Sequence, residues 1–126
     1  MNKKIINTPA APAPIGPYNQ SVLTNGLLFI SGQIAINPAT NELVQADIAT
    51  ETHQCMRNLE AVLTAAEMSF NNVVKSTIFL SDMSLFAQVN EVYGSYFAAD
   101  YPARETVAVK GLPKGVNVEI SMIAAT

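Results

Sequence analysis

The chain has 126 residues, a length that suits one compact domain over 1–126. Only 13% of it is charged and the net charge is −3, with two arginines, Arg57 and Arg104, so no basic stripe exists for phosphate contacts and no nucleic-acid partner is expected. The single cysteine, Cys55, excludes an internal disulfide, and no apolar run is long enough to cross a membrane, so a cytoplasmic protein without a membrane partner is expected.

Residues 1–17 carry Pro9, Pro12, Pro14 and Pro17, which should keep this stretch extended over the surface and which interrupt any signal-peptide core. Asn25-Gly26 lies between two strand-like arms, Ser21–Thr24 and Leu27–Ile36, and is the preferred sequence of a two-residue hairpin turn. Gly32 inside the second arm predicts a bulge or a close backbone approach, and residues 37–41 read as a turn. Asp47 is a good N-cap for a helix over 48–67, whose stripe is Ile48, Thr52, Cys55, Leu59, Val62 and Ala66. Val73–Leu80 is rich in β-branched residues and predicts a strand. A second helix follows, capped by Asp82 or Ser84 and ended by Tyr101-Pro102. Thr106–Val109 and Val116–Ala125 complete the pattern as strands around a turn at 111–115. This order predicts an α+β domain, a mixed sheet of about six strands with two helices on one face. The other face then needs a cover, and a neighbouring subunit is the natural one.

No Gly-rich phosphate loop and no His/Cys cluster with metal spacing occurs. The lone histidine, His53, reads as a surface residue, and Cys55 sits on the apolar stripe of its helix as a small buried hydrophobe. Chemistry must then come from arginine, carboxylate, hydroxyl or backbone groups. Arg104 stands at a strand entrance and suits a bidentate clamp for a carboxylate, or else a surface pair with Glu105. Strand neighbours point to opposite faces, which argues against that pair. Glu119 lies in opposite parity to Val118 and Ile120. On an exposed face it is an ordinary wet residue; on a covered one it is a candidate base with a raised pKa. Tyr18 follows the rigid Gly16-Pro17 turn as a packed tyrosine or a pocket hydroxyl.

Several segments together resemble the Rid (YjgF-like) family: Ala13–Gln20, Phe29–Ile34, Asn90–Tyr93, Tyr101–Arg104 with Thr106-Val107, then Leu112-Pro113 and Val118–Ile120. They fall in the family's order over almost the whole chain. The resemblance implies a chorismate-mutase-like Rid fold and a homotrimer, its three sheets forming a central barrel with sites at the subunit interfaces. It also implies hydrolysis of 2-imino and enamino acids, such as 2-aminoacrylate and 2-iminopropanoate, to 2-keto acids and ammonia. In this carry-over Arg104 holds the substrate carboxylate and Glu119 positions or activates water. Tyr18, Ser31, Gly32, Asn90 and Thr106 bind substrate, and no metal or cofactor is expected.

Two departures bear on the carry-over. Many deaminating relatives have serine and cysteine after the arginine, where this chain has Glu105 and Thr106; the substrate contact at the second position is expected from the main chain, and Glu105 should point away. Glu67 stands where glycine is common after the first helix. Three other roles fit the same residues: a non-catalytic sensor of small 2-keto or 2-amino carboxylates, an RNA-acting protein, which the acidic balance and lone histidine disfavour, and a chaperone-like apolar surface.

Overall fold

A computed structural model describes residues 2–126, whose strands and helices run Lys4–Ile6 (β1), Ser21–Thr24 (β2), Leu27–Gln33 (β3), Ile36–Asn37 (β4), Glu42–Leu43 (β5), Ile48–Ala65 (α1), Val73–Leu80 (β6), Phe86–Gly94 (α2), Ala103–Ala108 (β7) and Val118–Ala125 (β8). Six of the strands form one sheet in the order β1-β2-β3-β8-β6-β7. Only β6 and β7 pair in parallel, as a strand–helix–strand unit requires. The mixed sheet and the two helices agree with the fold class predicted from the sequence.

Asn25 and Gly26 both take positive φ, 51° and 76°, and join β2 to β3 as predicted. The bulge predicted at Gly32 also occurs, since the β3–β8 register shifts between Ile30 and Gln33. The second arm stops at Gln33 rather than Ile36. Ile36–Asn37 instead pairs with Glu42–Leu43 in a separate small hairpin around the 38–41 turn. The N-terminal segment is not wholly irregular: β1 adds to the sheet edge against β2, a three-residue strand too short to show in the periodicity.

Asp47 caps α1, its carboxylate accepting from Thr50 N at 2.8 Å, and these bonds hold its pKa below the usual range. The helix ends two residues before 67. Glu67 takes a left-handed φ of 60°, with Glu67 N donating to Thr64 O and Met68 N to Leu63 O, which satisfies two terminal carbonyls in a glycine-favouring geometry. The second helix is much shorter than predicted. Asp82 caps a 3-10 turn at Met83–Leu85, and α2 closes at Gly94, where the Ser95 hydroxyl donates to the Val92 carbonyl at 2.6 Å. Tyr96 and Phe97 continue the helical spacing of Val89, Val92 and Tyr93 but lie beyond the helix, packed edge-on against Phe70.

Leu28, Ile30, Ile78, Leu80, Val118, Ile120 and Met122 alternate inward and bury against Cys55, Met56, Leu59, Val62 and Leu63 of α1 and Val89 and Tyr93 of α2. The opposite sheet face carries Val22, Phe29, Thr77, Ser121 and Ile123, with Phe29 42% exposed. Among the described residues no helix covers that face, as the sequence order predicts.

Candidate functional site

Strand β7 begins three residues earlier than predicted, so Arg104 lies inside it, opposite Ser76 of β6. Its side chain projects to the helix face. The guanidinium lies over the rings of Tyr93, 5.1 Å from the centroid, and Phe86, at 5.7 Å. Stacking of this kind holds the planar group while leaving its N–H edges free to donate. Tyr93 is itself fixed, its hydroxyl donating to Ser76 Oγ at 2.9 Å, and burial pushes its pKa up. A surface recess brings Arg104 together with Asn90, Gly94, Tyr101 and Pro102.

Glu105 does not neutralise Arg104. It projects to the open face, bonds to the Thr77 hydroxyl and pairs with Lys75 Nζ at 3.1 Å. The Thr77 bond, then the Lys75 contacts, hold its carboxyl below the usual range. Among the described residues Lys75–Glu105 is the only ion pair, which leaves Arg104 without an anionic partner. Thr106 follows Arg104 in parity, and its Oγ1 is buried with no hydrogen-bond partner among the described residues.

Glu119 lies in β8 opposite Phe79 and projects to the open face. It is half-buried, and burial raises its pKa above the ordinary carboxylate value. The carboxylate rests over Gly32: a Cβ there would stand 2.2 Å from Oε2 and 2.8 Å from the carboxyl carbon. The bulge and the missing side chain together make the seat. Around it Pro12, Ala13, Ile15, Tyr18, Ile34 and Pro113 form a small cleft. The Tyr18 hydroxyl accepts from Ile15 N at 3.3 Å.

The proline-rich strap over this cleft is anchored by Gln20, a residue that sequence reasoning missed. Its Oε1 accepts from Thr8 N at 2.7 Å, and its Nε2 donates to the carbonyls of Thr8, Ala11 and Pro12. Ser31 sits beside the cleft rather than in it. Its hydroxyl donates to Asn19 O at 2.6 Å, and it lines the neighbouring open-face groove with Tyr18 and Lys75. His53 is not an isolated surface residue: its Nδ1 lies 2.8 Å from the Tyr96 hydroxyl. Cys55 is fully buried, which drives its thiol pKa up and makes it inert.

The structure therefore gathers the predicted site residues into two groups. Glu119, Gly32 and Tyr18 form one, with Ser31 adjacent; Arg104 and Asn90 form the other, with Thr106 two residues along the same strand. The groups occupy opposite faces of the sheet within one chain.

Comparison with known proteins gives the family. The family model described as endoribonuclease L-PSP matches residues 8–126. The chain belongs to this family, the YjgF/Rid proteins. A Rid protein of Yersinia pestis superposes with a TM-score of 0.96 at 46% identity, covering 99% of this chain and 100% of its own. The 2-iminobutanoate/2-iminopropanoate deaminase of Bos taurus is 47% identical over 97% of this chain and 89% of its own length. A RutC family protein of Pyrococcus horikoshii is 49% identical over 97% of each chain. The Rid fold implied by the sequence motifs is thus the fold observed.

Proposed function

We propose that the protein hydrolyses small 2-imino acids to 2-keto acids and ammonia. The observation that carries this is Glu119, a half-buried carboxylate of raised pKa seated against a glycine in a cleft. Its chemical complement is Arg104, an arginine with no anionic partner among the described residues. The name borne by the bovine relative points the same way. The family description is nucleolytic, but a net charge of −3 and a lone, tyrosine-bonded histidine fit phosphodiester chemistry poorly.

An imine carbon is already electrophilic, so holding the substrate and aiming water supplies much of the catalysis. Arg104 takes the carboxylate through two N–H bonds. Glu119, ionised, accepts a proton as water oxygen bonds to C2 and the C=N π pair moves to nitrogen, which takes up a proton. The resulting carbinolamine loses ammonia as its C–N bond breaks and the carbonyl forms. An enamine such as 2-aminoacrylate enters as its imine tautomer.

Both groups can meet one substrate only if a second copy supplies the other half, because they face opposite sides of a single sheet. The reading therefore includes a homotrimer with interfacial sites, its open sheet faces turned inward as a barrel. The test measures ammonia and 2-keto acid release from 2-iminopropanoate generated in situ by an amino-acid oxidase, together with solution mass by light scattering. Turnover by a species of three chains supports the reading. A stable monomer, or a trimer that leaves the imine decay rate unchanged, overturns it.

A further inference from the structure

The mechanism leaves one buried carboxylate unused. Glu51, in the first turn of α1, is 1% exposed. Its Oε2 accepts from the backbone N–H of Asn117 at 2.8 Å and of Val118 at 3.2 Å, and its Oε1 accepts from Asn117 Nδ2 at 3.1 Å. One turn along the helix, Cys55 Sγ donates to the Val118 carbonyl at 3.8 Å. Asn117 is held from its other side by Ser81, whose N–H donates to Asn117 O at 2.9 Å and whose hydroxyl donates to Asn117 Oδ1 at 3.0 Å. The backbone entering β8 is thus gripped through Val118, the residue immediately before Glu119. Glu119 then passes to the other face and lands on Gly32.

We propose that Glu51 is a positioning residue for Glu119: by fixing the Asn117–Val118 backbone from the helix side, it sets where the Glu119 carboxylate lies over Gly32. The proposal rests on the reading of Glu119 as the base. Glu51 does not touch the cleft, so it acts through backbone geometry alone. A carboxylate accepting several N–H bonds makes a stiff anchor, and small misplacements of a catalytic group are costly in rate. Arg104 sits on β7, away from this anchor, so carboxylate binding is spared.

Three variants of the full-length protein test this. Glu51→Leu leaves the two backbone N–H groups unpaired. Glu51→Asp keeps the charge near the helix N-terminus but shortens the reach, and it serves if the leucine variant does not fold. Glu51→Gln keeps an acceptor oxygen. Leucine and aspartate should lower kcat by about tenfold or more with KM within about threefold, whereas glutamine should stay within about threefold of wild-type kcat. Assays run well below each variant's melting temperature, on equal amounts of folded assembly.

A second readout needs no turnover: the carboxyl NMR titration of Glu119, in a cleft where Tyr18 is the only other titratable lining residue among the described residues. With leucine or aspartate the Glu119 midpoint should fall toward the ordinary value as water enters; with glutamine it should hold. Wild-type kcat and midpoint in the leucine or aspartate variant overturn the proposal, as does a glutamine variant equally impaired. Should the wild type not turn over, the deaminase reading fails and the titration decides the Glu51 proposal separately.

Discussion

The two halves of the candidate site are built in opposite ways. Glu119 sits on β8, a central strand flanked by β3 and β6, and its place is set by backbone: a bulge, a missing side chain at Gly32 and buried bonds to α1. Arg104 sits on β7, at the sheet edge, and its place is set by side chains, the rings of Phe86 and Tyr93. Glu119, the proposed base, is held from inside the chain, while Arg104, the proposed grip for a ligand's carboxylate, stands on an edge strand. The difference predicts that damage to the first half shows in kcat and damage to the second in carboxylate affinity.

The sharpest break is Glu119→Gln, which cannot accept a proton from water and should lower kcat by about 10²–10⁴ with ligand affinity retained. Since the base must be ionised and burial raises its pKa, wild-type activity should fall as pH drops through a midpoint above the ordinary carboxylate value. A pH profile that is flat down to the ordinary range would remove Glu119 from this role. Arg104→Ala should cost about 2–5 kcal/mol in kcat/KM, with Arg104→Lys between, because lysine keeps the charge and loses the planar fork. Near wild-type kcat/KM for 2-iminopropanoate in the alanine variant would end the clamp assignment.

Gly32→Ala sharpens the comparison from the backbone side. No positive φ forbids alanine there, so the effect comes from the Cβ pushing the Glu119 carboxylate off its seat. A fall in kcat of about tenfold, near 1.4 kcal/mol, is expected with unchanged circular dichroism. The smallest effect lies outside both halves. Glu67 holds a left-handed φ of 60°, and Glu67→Gly should raise stability by about 0.5–1 kcal/mol in urea unfolding while leaving kinetics alone.

Local chemistry was legible where one residue type enforces one geometry. Asn25-Gly26 specifies the hairpin, Gly32 the bulge, and strand parity alone separates Glu105 from Arg104. Glu119 was legible as a polar residue of the wrong parity. The spacing carries the second helix too far because Tyr96 and Phe97 keep its apolar period beyond Gly94, where α2 ends. Gln20 gave no signal, since its bonds reach the backbone of a distant strap. Glu51 did leave one: it lies three residues from Ile48 and four from Cys55, so a charged residue shared the buried stripe of α1 and had to find donors elsewhere. No spacing along one chain shows that Arg104 and Glu119 lie on opposite faces, because that depends on the β8–β6–β7 order.

That order also governs how the domain comes into being on the ribosome. During synthesis β1, β2 and β3 can pair as they emerge, and β6 and β7 can dock around α2, but the two pieces share no strand edge until β8 is made and slides between them. These pairings span long stretches of chain and therefore form slowly. Until then both waiting edges are open to wrong partners. The strand that carries Glu119 is also the strand that closes the sheet, so a nascent chain completes its fold and places the proposed base in the same event.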